Sequence, residues 1–62
     1  MVLVDFMLNG ILQAEVRLRK SYYVRFQTIE EGFVINHFDK VYVDEVTAKS
    51  AATHYTKTGR VL

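Results

Sequence analysis

Leu12-Gln13-Ala14-Glu15-Val16-Arg17-Leu18 alternates apolar and polar side chains without a break. An extended chain points successive side chains to opposite faces. This stretch therefore lays Leu12, Ala14, Val16 and Leu18 on one face and Gln13, Glu15 and Arg17 on the other, as a half-solvated strand does. The alternation resumes in Tyr22-Tyr23-Val24-Arg25-Phe26-Gln27, after Arg19-Lys20-Ser21. A three-residue loop at 19–21 sets Leu18 opposite Tyr22, Val16 opposite Val24 and Ala14 opposite Phe26. Apolar then meets apolar on one face and polar meets polar on the other, and burial of one face fixes that register.

Towards the amino terminus, Val2, Val4, Phe6 and Leu8 repeat the pattern before Asn9-Gly10. A three-residue loop of Leu8, Asn9 and Gly10 pairs Phe6 with Leu12, Val4 with Ala14 and Val2 with Val16. Glycine at the end of that loop takes a left-handed conformation without steric cost. Towards the carboxyl terminus, Glu30-Glu31-Gly32 marks a turn, and a four-residue loop from Ile29 to Gly32 lets Phe26 face Ile35 in a fourth strand, Phe33 to Phe38. Asp39-Lys40 then allows a short fifth strand, Val41 to Val43. The apolar face so assembled collects Val2, Val4, Phe6, Leu12, Ala14, Val16, Leu18, Tyr22, Val24, Phe26, Phe33, Ile35, Val41 and Val43. With no proline in the chain, no strand interior is interrupted.

Beyond Asp44 the period changes, because Ala48, Ala51, Ala52 and Tyr55 fall on one side of a helix running to Thr58. Asp44 is the expected N-cap, Glu45 suits the positive end of the helix dipole, Lys57 the negative end, and Gly59 the stop. The expected fold is α+β: a small antiparallel meander of four to five strands with one C-terminal helix packed on it, residues 1–62 forming a single small domain. Arg60-Val61-Leu62 extends an edge of the sheet or frays.

The chain has 62 residues, half of them hydrophobic, and no cysteine or tryptophan. A chain this short buries only about 60% of the surface that its unfolded form exposes, so its core is small and a partner chain is a reasonable source of further stability. The absence of cysteine removes disulfides, thiolate metal sites and a cysteine nucleophile. No apolar run approaches the roughly 20 residues of a spanning helix, and Asp5 stands where a signal peptide is basic, so a soluble cytoplasmic protein is expected, with no membrane partner. His37 and His54 are far apart and form no metal-ligand pattern, Ser21 and Ser50 lack a nucleophile elbow, and three glycines build no phosphate loop. Neither a metal nor any other cofactor, no catalytic residue and no small-molecule substrate is expected. The chain reads as a non-enzyme.

Charge is distributed in blocks: residues 15–25 set Arg17, Arg19, Lys20 and Arg25 against Glu15, and residues 49–62 add Lys49, Lys57 and Arg60, within a net charge of only +1. On the polar face, Arg17 lies opposite Tyr23 and Glu15 opposite Arg25. Guanidinium groups meet phosphates or guanine edges and tyrosine stacks on bases, so Arg17, Arg19, Lys20, Tyr23 and Arg25, helped by Lys57 and Arg60, are the candidate residues of a nucleic-acid-binding regulator. The same face carries apolar Leu3, Met7, Val34, Phe38 and Tyr42, with Ile29, which suit instead a protein-binding inhibitor or adaptor acting through that patch or an edge strand, including a homodimer.

Overall fold

The computed structural model describes residues 2–62. Four strands, β1 (Val2–Asn9), β2 (Leu12–Leu18), β3 (Tyr22–Glu30) and β4 (Phe33–Tyr42), form an antiparallel sheet in chain order, and α1 (Glu45–Thr58) packs on one face. This is the expected α+β meander, with four strands in place of a possible fifth. Asp39 and Lys40 do not turn the chain. They continue β4 opposite Arg25 and Val24, so Val41 and Tyr42 belong to the same ten-residue strand.

The central pair follows the alternation directly. Leu18 pairs with Tyr22, Val16 with Val24, Ala14 with Phe26, Arg17 with Tyr23 and Glu15 with Arg25. Ala14, Val16, Val24 and Phe26 are buried beneath the helix, and Phe26 is the largest fully buried side chain.

Both outer pairings depart from the simple alternation, through their turn geometry and through one bulge each. The first loop has two residues, Gly10-Ile11, closed by Asn9 opposite Leu12, with Gly10 at φ 60° in the first central position as a II′ turn demands. Met7 then meets Ala14 and Phe6 meets Glu15, and a bulge between Leu3 and Asp5 leaves Val4 as the extra residue. A bulge reverses which parity faces inward. Val4 and Met7 therefore pack on the core, while Phe6, expected inside, is 48% exposed on the other face, and Val2 and Leu8 are exposed too. The second hairpin turns at Glu31-Gly32, with φ 53° and 82°, and brings Phe26 opposite Phe38, not Ile35. Its bulge falls between Thr28 and Ile29, opposite Asn36 and Val34, so Ile35 is the extra residue. Phe33, Ile35, Val41 and Val43, expected in the core, are all exposed.

The helix begins and ends where its capping residues stand. Asp44 is extended, and its Oδ1 accepts from the Thr47 N–H at 2.8 Å. This backbone hydrogen bond, then the Thr47 side chain, holds the Asp44 carboxyl below its ordinary value, against the opposing effect of desolvation. Gly59 adopts φ 76° and donates its N–H to the Tyr55 carbonyl at 2.7 Å. Ala48, Ala51 and Ala52 are fully buried and let the helix axis approach the sheet closely, centred on β2 and reaching β3 and β1, with β4 touched least. Tyr55 packs its ring against Phe26 with centroids 4.9 Å apart, and the side-chain amide of Asn9 donates to the Thr56 carbonyl at 2.7 Å, satisfying one of the open carbonyls of the last turn. Residues 60–62 turn back beside β4, where Tyr42 donates its hydroxyl to the Leu62 carbonyl at 2.9 Å.

Candidate functional site

Among the described residues no helix or strand packs on the sheet face turned away from the helix, and the register composes it row by row. One row runs Leu3, Arg17, Tyr23, Val41; the next Phe6, Glu15, Arg25, Asp39; the third Leu8, Gln13, Gln27, His37. Polar residues occupy the two central strands and large apolar ones the edges: Leu3, Phe6 and Leu8 on β1, Val41 on β4, each between 48% and 67% exposed.

The central polar residues are engaged with one another. Arg17 Nη2 donates to Glu15 Oε2 at 2.9 Å, and both side chains are well shielded, 24% and 13% exposed. Arg25 grips Asp39 with two bonds, Nε to Oδ1 at 3.0 Å and Nη2 to Oδ2 at 3.2 Å. The hydrogen bond to Asp39, then its charge, raises the Arg25 pKa above the ordinary value. Gln13 Nε2 donates to Gln27 Oε1 at 2.6 Å in the third row. Two arginines against two carboxylates leave the middle of this face without net charge.

The residues expected to bind nucleic acid fall into three places. Arg17, Tyr23 and Arg25 share the outer face, as the alternation requires. Arg19 and Lys20 lie exposed in the turn between β2 and β3, and Lys57 and Arg60 flank Gly59. Gly59 sits against Leu12, at the other end of β2 from Leu18, so the two basic pairs are separated by the length of a seven-residue strand, roughly 20 Å.

Of the residues expected to meet a protein, Leu3 is half-exposed on the outer face, and Val34 is exposed opposite Ile29. Three others are on the helix side, and their assignment to the outer face is corrected. Met7, shifted by the two-residue loop, receives a hydrogen bond from Thr53 Oγ1 at 3.4 Å. Phe38, turned inward by the Ile35 bulge, stacks on Phe26 with centroids 6.3 Å apart. Tyr42 lies opposite Tyr22 and is buried, which pushes its phenol pKa up. The outer-face residues that alternation alone misses are Phe6, Leu8, His37, Asp39 and Val41. The Gly10-Ile11 turn and the two bulges put them there, and Gly10 is the one visible signal of the first.

Among the described residues, no three His, Cys, Asp or Glu side chains cluster as metal ligands, and no helix is long and apolar enough to cross a membrane. On the helix side, an open cleft of about 250 Å³ lies between β4, the helix end and the tail, lined by Phe26, Thr28, Phe38, Tyr55 and Val61 among others. A shallower groove of about 560 Å³ runs along the outer surface of the helix past Ser50, His54 and Leu62. No family model, curated protein or solved structure matches the chain.

Proposed function

We propose that the chain is a non-catalytic protein-binding module that docks a partner protein on the outer face of its sheet. The observation that carries this reading is the composition of that face: exposed Leu3, Phe6, Leu8 and Val41 along its edges enclose a centre whose arginines are already held by Glu15 and Asp39. Apolar area at the rim gains by leaving water, and a self-neutralised centre is less costly to cover than free charges. A polyanion gains little from it, because Arg17 and Arg25 must first leave their carboxylates and the two basic pairs, Arg19-Lys20 and Lys57 with Arg60, stand at opposite ends of the sheet. The partner that fits is a protein surface without strong net charge, apolar where it meets β1 and β4 and hydrogen-bonding over the Gln13–Gln27 row.

The test pairs affinity capture with an oligonucleotide titration. Immobilised wild-type protein should retain a partner that Phe6→Asp and Val41→Asp lose and that Arg19→Ala/Lys20→Ala keeps. The same protein should show no salt-sensitive change in anisotropy with labelled single-stranded or duplex DNA or RNA. Salt-sensitive binding that disappears with Arg17→Ala and Arg25→Ala would replace this reading with nucleic-acid recognition.

A further inference from the structure

The two edges of the sheet are not equivalent. On β1 the Val4 bulge breaks the ladder, and Asp5 Oδ1 accepts from the Phe6 N–H at 2.8 Å, so a backbone donor there is capped by a side chain. Both devices blunt an edge against pairing. On β4 all residues from Phe33 to Val41 are exposed, none is proline, and the bulge at Ile35 leaves Asn36–Tyr42 regular. This is an open template for another strand, and the residues along it say which strand it fits.

We propose that β4 pairs antiparallel with β4 of a second copy of this chain, in the register that places Phe38 opposite Phe38, joining two four-stranded sheets into one of eight. A twofold axis relating two such edges stands perpendicular to the sheet. It keeps faces on their own side, so each residue meets one of its own parity and the axis passes a residue, not a gap. Centring on Asp39 opposes two carboxylates, and centring on Lys40 opposes two ammonium groups, each like-charge pair being unfavourable at direct cross-strand distance. Centring on Phe38 opposes Asp39 to His37 twice and Lys40 to Asn36 twice, all within the regular stretch that the Ile35 bulge bounds. No like charges meet. Phe38, 52% exposed and already stacked on Phe26, gains its own counterpart as cover beside the cleft between β4 and the helix.

This interface uses the edge and leaves the outer face open, so it stands or falls separately from the partner-docking reading. If both hold, the dimer makes the two outer faces one continuous surface, with the row from Phe6 to Asp39 extended by His37 of the second copy.

Sedimentation equilibrium of the wild-type chain should give twice the monomer mass. His37→Asp puts carboxylates face to face on both sides of the axis and should return the monomer mass, and the swap H37D/D39H should restore the dimer. The chain has no cysteine, so single cysteines report the register cleanly. In an antiparallel pair, directly opposed Cα atoms are about 4.5–5.5 Å apart, within disulfide range, whereas Lys40 and its copy would be offset by about 13 Å along the strands. F38C should cross-link on oxidation and K40C should not. If F38C fails to fold by circular dichroism, the H37D and swap pair decides alone. A monomer at every concentration, a K40C cross-link, or a dimer broken by Phe6→Asp but indifferent to His37→Asp overturns the proposal. Asn36→Lys, on the helix side of β4, would oppose Lys40 with a second ammonium group across the axis, and partner capture by that monomer tests the outer face independently of that result.

Discussion

The two faces of the same sheet are built on opposite plans. Beneath the helix, Ala14, Val16, Val24 and Phe26 meet Ala48, Ala51 and Ala52, all at most 1% exposed. One residue away along the same strands, Glu15, Arg17 and Arg25 form a layer of ion pairs and amide contacts that no element covers. The first face is dry and fills space; the second saturates its own polar groups and keeps apolar side chains only at its margins. The difference teaches where stability resides in so small a chain. Folding free energy scales at roughly 0.05–0.15 kcal/mol per residue, which makes the whole reserve about 3–9 kcal/mol, and nearly all of the buried apolar surface lies on one side.

The comparison is broken most severely at Phe26. Its ring fills the space between the helix and β4, against both Tyr55 and Phe38. Phe26→Ala should cost about 3–5 kcal/mol, from lost transfer free energy and the cavity left behind, enough to unfold much of the population in urea titrations at room temperature. A loss under about 1 kcal/mol would mean that the helix face does not carry the fold.

A second break acts by excess volume. The alanines set the distance of helix from sheet, and Ala51 has no exposed surface into which a larger side chain can escape. Ala51→Leu should destabilise by about 1–3 kcal/mol although it adds apolar area, because overpacking forces strained rotamers or lifts the helix. The substitution is uninformative on the outer face, where Leu8→Ala should change stability by no more than about 0.5 kcal/mol. Thermal melts of the two variants side by side measure the contrast.

How much of this was legible in the sequence follows from the same contrast. In β2 and β3 the centre of one face is buried, and alternation alone yields the register from Leu18 opposite Tyr22 to Ala14 opposite Phe26 and the pairing of Arg17 with Tyr23. Asp44 and Gly59 delimit the helix because each satisfies a backbone need that other residues meet poorly. On β1 and β4 the edge position weakens the rule. An apolar side chain there is half-exposed on either face, so Phe6 outside and Met7 inside differ little in free energy from the reverse. The choice passes to turn geometry and bulges. The Gly10-Ile11 turn was available to reasoning through Gly10, but the extra residues Val4 and Ile35 leave no local mark. For the same reason Phe38 and Tyr42 read as outward until the Ile35 bulge, with Val34 on the outer face before it and Asn36 on the helix side after it, turns the rest of β4 over.

The finest distinction between the faces is the worth of the outer ion pairs. Arg25 and Asp39 make a bidentate contact, yet their side chains are 35% and 44% exposed, and water and salt screen them. A double-mutant cycle of Arg25→Ala and Asp39→Ala should therefore return a coupling of only about 0.2–1 kcal/mol, declining further in 1 M salt. Such a pair contributes little to holding the strands together, which the backbone ladder and the buried face already do. Its larger effect is on the surface it leaves: with either partner removed, an unneutralised charge stands between Phe6 and Val41, where an apolar-rimmed partner would have to desolvate it. Single substitution at Arg25 should then reduce partner capture more than it lowers the melting temperature. A coupling above about 2 kcal/mol would show instead that the outer face shares in stabilising the fold.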